Sequence, residues 1–132
     1  VLKDLGGFDP RYFMYHEDVE LCLRVIGNGY SIIYEPKALV YHKVQGSLRK
    51  KGEKYISGWS PNNPNLSFYV YHGVRNILLN MHDHAKGFNL ILFALFFPVL
   101  LLKKAFSFLL NGRYDAIKAI CKAYNSYKKN KT

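Results

Sequence analysis

The sequence predicts an α/β first part within residues 1–65, followed by a mainly α-helical, basic, membrane-proximal second part over residues 66–132. Three observations predict it. A helical period over residues 17–26 is followed by two β-branched and aromatic runs, "YSIIYEP" and "ALVYH", of strand length and composition. Beyond residue 66 the apolar residues continue at helical spacing or as unbroken runs. The charge also changes sign: through His42 there are four Lys/Arg against six Asp/Glu, and thereafter fifteen against three.

With 132 residues, 49% hydrophobic and 21% charged, the chain has the apolar content of one globular domain rather than a disordered tail. Its two cysteines, Cys22 and Cys121, lie far apart in helix-like segments, which provides neither a disulfide framework nor metal-ligand spacing and suits a reducing compartment. The start at Val1 shows no basic stretch followed by a short apolar one, so no signal peptide is expected.

Residues 1–16 read as a loop broken by Gly6-Gly7 and Asp9-Pro10 and rich in aromatics: Phe8, Tyr12, Phe13 and Tyr15. From Glu17, apolar residues recur at Val19, Cys22, Leu23 and Ile26 until Gly27-Asn28-Gly29 stops the helix, so Glu17 and Asp18 occupy its first turn. The two strand-like runs follow, separated by Pro36, and His42 ends the second. Residues 43–65, with "RKKGEK" and the turn-forming "SPNNPN", read as a long functional or mobile loop. A helix is expected from near Ser67 through "FYVYHGVRNILLNMHDH". Gly87 breaks the chain before "FNLILFALFFPVLLL", and a last helix sets Ala116, Ile117, Ile120 and Tyr124 on one face before a basic end.

The apolar run over residues 88–102 would make roughly 22 Å of helix against a hydrocarbon core of about 30 Å. Extending it past Lys103 and Lys104 would cost about 2.5 to 3.5 kcal/mol per lysine at the bilayer centre, and Pro98 favours a kink. A monotopic or re-entrant segment is expected. Lysines beside apolar runs suit an anionic membrane surface. They form no recognisable nucleic-acid motif, so no nucleic-acid partner is expected. In "HDH", His82 and His84 are two apart on a helix and point away from one another, which excludes a shared metal and reads as surface.

Two adjacent carboxylates at a helix N-terminus are stabilised by the macrodipole and unpaired amides, which alone accounts for Glu17 and Asp18 structurally. The surrounding stretch, "GGFDPRYFMYHEDVELCLRVIGNGYSIIYEPKALVYH", resembles the C-terminal half of the catalytic domain in glycosyltransferase family 2, inverting enzymes of GT-A fold that include rhamnosyltransferase-like builders of bacterial surface polysaccharides. Gly-Gly-Phe-Asp, aromatics, Glu-Asp opening a helix, Gly-Tyr, a strand, Pro and a strand ending in His occur here in that order across residues 6–42. "SFYVYHGVRNILL" is similar to a Tyr-x-x-x-Arg-Asn helix that follows in such enzymes, here Tyr71, Arg75 and Asn76.

The resemblance implies transfer of a sugar, with inversion, from a nucleotide-sugar donor to a glycan or lipid-linked acceptor. Asp18 would be the base for the acceptor hydroxyl and Glu17 its support. Gly6, Gly7, Phe8, Tyr15 and His16 would line the substrate, and His42 would help hold a divalent cation, Mn or Mg. Ser47, Arg49, Lys50 and Lys51 would lie on a loop near the diphosphate. The Asp-x-Asp motif that the cation also needs does not occur in this sequence. The expectation is therefore a partial GT-A domain, a C-terminal fragment with an exposed sheet edge and negligible turnover alone, at the cytoplasmic face of a bacterial inner membrane. A non-catalytic membrane-surface module is the competing expectation, and the upstream sequence would separate them.

Overall fold

The computed structural model describes residues 1–41 and 55–131. It contains four helices in order: α1 (Glu17–Gly27), α2 (Leu66–His84), α3 (Gly87–Leu110) and α4 (Tyr114–Asn130). The α/β expectation is overturned, because no strand occurs among the described residues. Residues 30–41 run without regular structure and lie exposed; Ile33, Val40 and Tyr41 are each more than four-fifths accessible. A strand is stabilised by cross-strand pairing and packing rather than by its own composition, and these runs meet no ladder partner among the described residues. At the Pro36 separator the chain turns: the Ala38 amide donates to the Glu35 carbonyl (3.1 Å), and the Lys37 amide donates to the Glu35 carboxylate (2.9 Å).

Helices α2 and α4 form the centre of the molecule, with the end of α3 closing over them. Leu66, Val70 and Val74 of α2, Phe108 of α3, and Ala116, Ala119 and Ala123 of α4 make the core. The three alanines recur at spacings of three and four and turn one stripe of α4 toward α2, so the two backbones approach closely. The seam thus runs along the alanines, with Ile117 and Ile120 packed beside it, and Tyr124, expected on the same face, is about half exposed. Tyr71 of α2 donates to the Ser126 hydroxyl of α4 (3.0 Å).

The loop before α2 is ordered over residues 55–65; residues 43–54, with the "RKKGEK" cluster, lie outside the described residues. Arg113 secures this segment by donating to the carbonyls of Pro61 and Asn63, the latter at 2.9 Å. Two glycines allow the close fit. A Cβ on Gly58 would fall 2.4 Å from the Tyr69 ring, and one on Gly73 would fall 2.8 Å from Trp59. The segment is a packed strap across α2.

Helix α3 differs most from its expected form. It runs unbroken for 24 residues through Pro98, Lys103 and Lys104, about 36 Å at 1.5 Å per residue. By length and composition it is the one helix among the described residues that is able to cross a membrane, and its most apolar window is not buried in the molecule. Phe88, Leu95, Phe96, Val99 and Leu102 are each more than three-fifths exposed. The helix is thus longer than the run over residues 88–102 from which a monotopic or re-entrant segment is expected. Phe93 stacks on Phe97, one turn along (4.6 Å between centroids), and Phe97 and Leu101 carry the helix onto the core.

Candidate functional site

The acid pair sits where loop 1–16 enters α1, and the loop is tied down by charge on both flanks. Arg24 of α1 pairs with buried Glu20 one turn back (2.8 Å) and donates to the carbonyls of Leu5 and Gly7. Arg11 bridges Asp9 and Asp83 of α2, each at 2.7 Å. Partial burial alone would push the Asp9 carboxyl up, yet the hydrogen bonds from Arg11 hold it below the ordinary carboxylate range. The "HDH" stretch expected at the surface is thereby an anchor: Asp83 takes Arg11, and His84 approaches Glu20 at 3.5 Å.

From Tyr12 to His16 the loop lies on α2. Tyr12 is buried and donates to the Asn80 carboxamide oxygen (3.0 Å); burial raises its phenol above the usual range. Arg75 donates to the Arg11 carbonyl. Asn76, with no exposed surface, donates to the carbonyls of Met14 (2.8 Å) and Tyr15 (2.6 Å), and Asn80 donates to that of His16 (3.3 Å). Tyr15 and His16 both have positive φ, 67° and 64°, a left-handed path that costs non-glycine residues about 1–3 kcal/mol each. The Tyr15 ring packs 5.3 Å from that of Tyr69, and burial, then hydrogen bonding to Tyr69, raises its phenol.

The two acids that follow have different surroundings. Asp18 is exposed and, among the described residues, accepts from the Val19 amide (2.8 Å). Glu17 is half-buried, with one carboxylate oxygen enclosed and without a hydrogen-bond partner among the described residues. His16 caps the helix by position and accepts no capping hydrogen bond through its side chain. Of the expected substrate residues, Tyr15 packs on Tyr69 and His16 follows it into α1, next to the expected catalytic pair Glu17 and Asp18. Gly6, Gly7 and Phe8 lie earlier in the loop: both glycines have positive φ with open space where a Cβ would stand, and Phe8 is exposed. His42, the expected metal ligand, lies outside the described residues, as do Ser47, Arg49, Lys50 and Lys51. Among the described residues no three His, Cys, Asp or Glu side chains come together to hold a cation.

Asn80 and Asp83 were not expected as part of this arrangement. The available signal was two asparagines four apart, weak helix formers on one face of an otherwise apolar helix.

A second buried histidine marks the same dock. His72 is nearly enclosed by Phe13, Phe68 and Tyr71, with Nδ1 unpartnered; burial and then Arg75 push its imidazole below the ordinary histidine range. Burial also lowers His16, against the opposing charges of Asp18 and Glu17. With both folded-state values below the free value near 6.5, the unfolded chain binds more protons than the folded one as pH drops through that value. Stability is therefore full above about pH 6.5 and falls on acidification. Urea midpoints at pH 7.5 and 5.5 should show the loss, and His72→Phe should shrink it; equal midpoints in the parent protein contradict the assignment.

No family model and no solved structure matches the chain. Two curated proteins do, over a short stretch: the N-acetylglucosaminyl-diphospho-decaprenol L-rhamnosyltransferases of Mycobacterium tuberculosis strains CDC 1551 / Oshkosh and ATCC 25618 / H37Rv. Each is 53% identical to this chain over 38 residues, which is 29% of this chain and 12% of the relative. The chain thus spans about an eighth of the length of the curated relatives it matches. The similarity relates it to glycosyltransferases over that stretch alone.

Proposed function

We propose that this chain supplies the acceptor-side acid pair and the membrane-proximal helices of an inverting family 2 glycosyltransferase. The observation that carries the reading is Asp18: an exposed carboxylate in the first turn of α1, three residues after the half-buried Tyr15, in a chain that matches the rhamnosyltransferases over 38 residues. Asp18 takes the proton of an acceptor hydroxyl as that oxygen bonds to the anomeric carbon. The bond from that carbon to the diphosphate breaks, and the nucleotide diphosphate leaves with the electron pair. Glu17 braces the turn. The donor is a nucleotide-diphosphate sugar and the acceptor a lipid-linked glycan, as the relatives' name suggests. The donor-binding residues, with the Asp-x-Asp for Mn or Mg, would come from outside this sequence. The site would face the cytoplasm at a bacterial inner membrane.

The membrane half of this reading has its own test. The chain should float with liposomes containing anionic phospholipid. Leu95→Asp together with Val99→Asp, at exposed positions of α3, should leave it at the bottom of the gradient, since each acid costs on the order of 2.5 to 3.5 kcal/mol at mid-bilayer. Equal flotation of the two proteins removes the membrane claim. The long exposed apolar face of α3 also supports a second reading, a non-catalytic membrane-surface module. Loss of transfer on changing Asp18 separates the two.

A further inference from the structure

We infer that Asn76 and Asn80 are positioning residues, holding the left-handed pair Tyr15–His16 so that α1 begins where Asp18 meets the acceptor; this rests on the catalytic reading of Asp18. The backbone path is one that glycine takes freely and tyrosine and histidine resist. Something outside the loop must therefore hold it, and the contacts identify what does. Four carbonyls, those of Arg11, Met14, Tyr15 and His16, are each bound by a side chain of α2 at position 75, 76 or 80.

Both asparagines direct their amide donors to this contact. Both amide hydrogens of Asn76 go to the loop, and its oxygen accepts from Arg75 Nε (2.9 Å). The Asn80 oxygen accepts from Tyr12 while its nitrogen donates to His16. Positions 76 and 80 are four apart, so they lie on one face of α2, and both are buried. Packing alone does not call for two asparagines there. A buried carboxamide whose donors all go to the same strained loop sets that loop's geometry.

Asn76→Asp is the diagnostic change, because it keeps the shape and turns the donor into an acceptor facing two carbonyls. In the transferase carrying its donor-binding half, Asn76→Asp should lower kcat by roughly 10- to 100-fold with the donor KM unchanged, the signature of a displaced rather than missing base. Hydrogen exchange at amides 14–19 should speed up by about tenfold or more, while α4 keeps its protection. Asp18→Asn is measured beside it.

If Asp18→Asn abolishes transfer and Asn76→Asp, with α4 still protected, keeps kcat within about twofold, the positioning role is overturned. If Asp18→Asn keeps transfer, the catalytic reading fails; faster exchange confined to 14–19 would then still support the clamp, and unchanged exchange would overturn it. Should Asn76→Asp lose protection throughout, Asn80→Ala, which gives up the longest of these bonds, is judged by the same criteria.

Discussion

Asp18→Asn, made in the enzyme with its donor-binding half, is expected to lower kcat by about 10²- to 10⁴-fold, the range that a positioned general base contributes. Asparagine matches the carboxylate in size and retains an oxygen for the Val19 amide (2.8 Å in the parent protein), so the helix start is preserved. What is lost is the capacity to take up a proton. The stability cost is small, because an exposed acid in a first turn contributes only about 0.3 to 1 kcal/mol through the macrodipole. Donor KM should therefore hold while label transfer from the nucleotide-sugar to the lipid-linked acceptor collapses. Transfer within tenfold of the parent would remove Asp18 from the chemistry. Flotation with liposomes should be unchanged either way, since position 18 is far in sequence from α3.

Phe108→Ala is expected to have the largest effect on the fold. Phe108 has no exposed surface and is the largest fully buried side chain among the described residues, standing where α3 meets the Val70–Val74 stripe of α2 and the alanine stripe of α4. Truncating a buried phenylalanine costs about 3 to 5 kcal/mol, because the cavity forms among residues already too small to fill it. That is a large share of the 5 to 15 kcal/mol typical of a domain. Phe106, two residues earlier and 60% exposed, is the control: its alanine variant should lie within about 0.5 kcal/mol of the parent. Urea titrations followed by circular dichroism in detergent would show the contrast. Equal midpoints for the two variants would mean that α3 does not close the core.

Some of this architecture was legible from periodicity. The stripe Val19, Cys22, Leu23 and Ile26 and the Gly27-Asn28-Gly29 stop define α1, which ends at Gly27. The run from Ser67 to His84 defines nearly all of α2. The lack of strands among the described residues was not legible, because "YSIIYEP" and "ALVYH" have strand composition whether or not a partner is present, and pairing is a property of the neighbour. Pro98, expected to favour a kink, stands inside one continuous helix: its ring removes one hydrogen bond, which a long apolar helix tolerates. On α4 the expected face of Ala116, Ile117 and Ile120 meets the core while Tyr124 is about half exposed, and close helix approach selects the alanines. As for the site, the residues that present Asp18 were visible, and of those that hold the loop Arg75 and Asn76 were named while Asn80 and Asp83 were not. Asn80 and Asp83 acquire their roles only when residues 64 and more positions away fold against them.

Only Ala85 and Lys86 separate the helix that grips the loop from the helix of spanning length. On the reading proposed above, embedding α3 would keep the Asp18 carboxylate at a nearly constant height above the lipid, and its encounters with an anchored acceptor would become a search in two dimensions. A water-soluble sugar of the same structure, free to wander in three, would then be a much poorer substrate than its lipid-tethered counterpart.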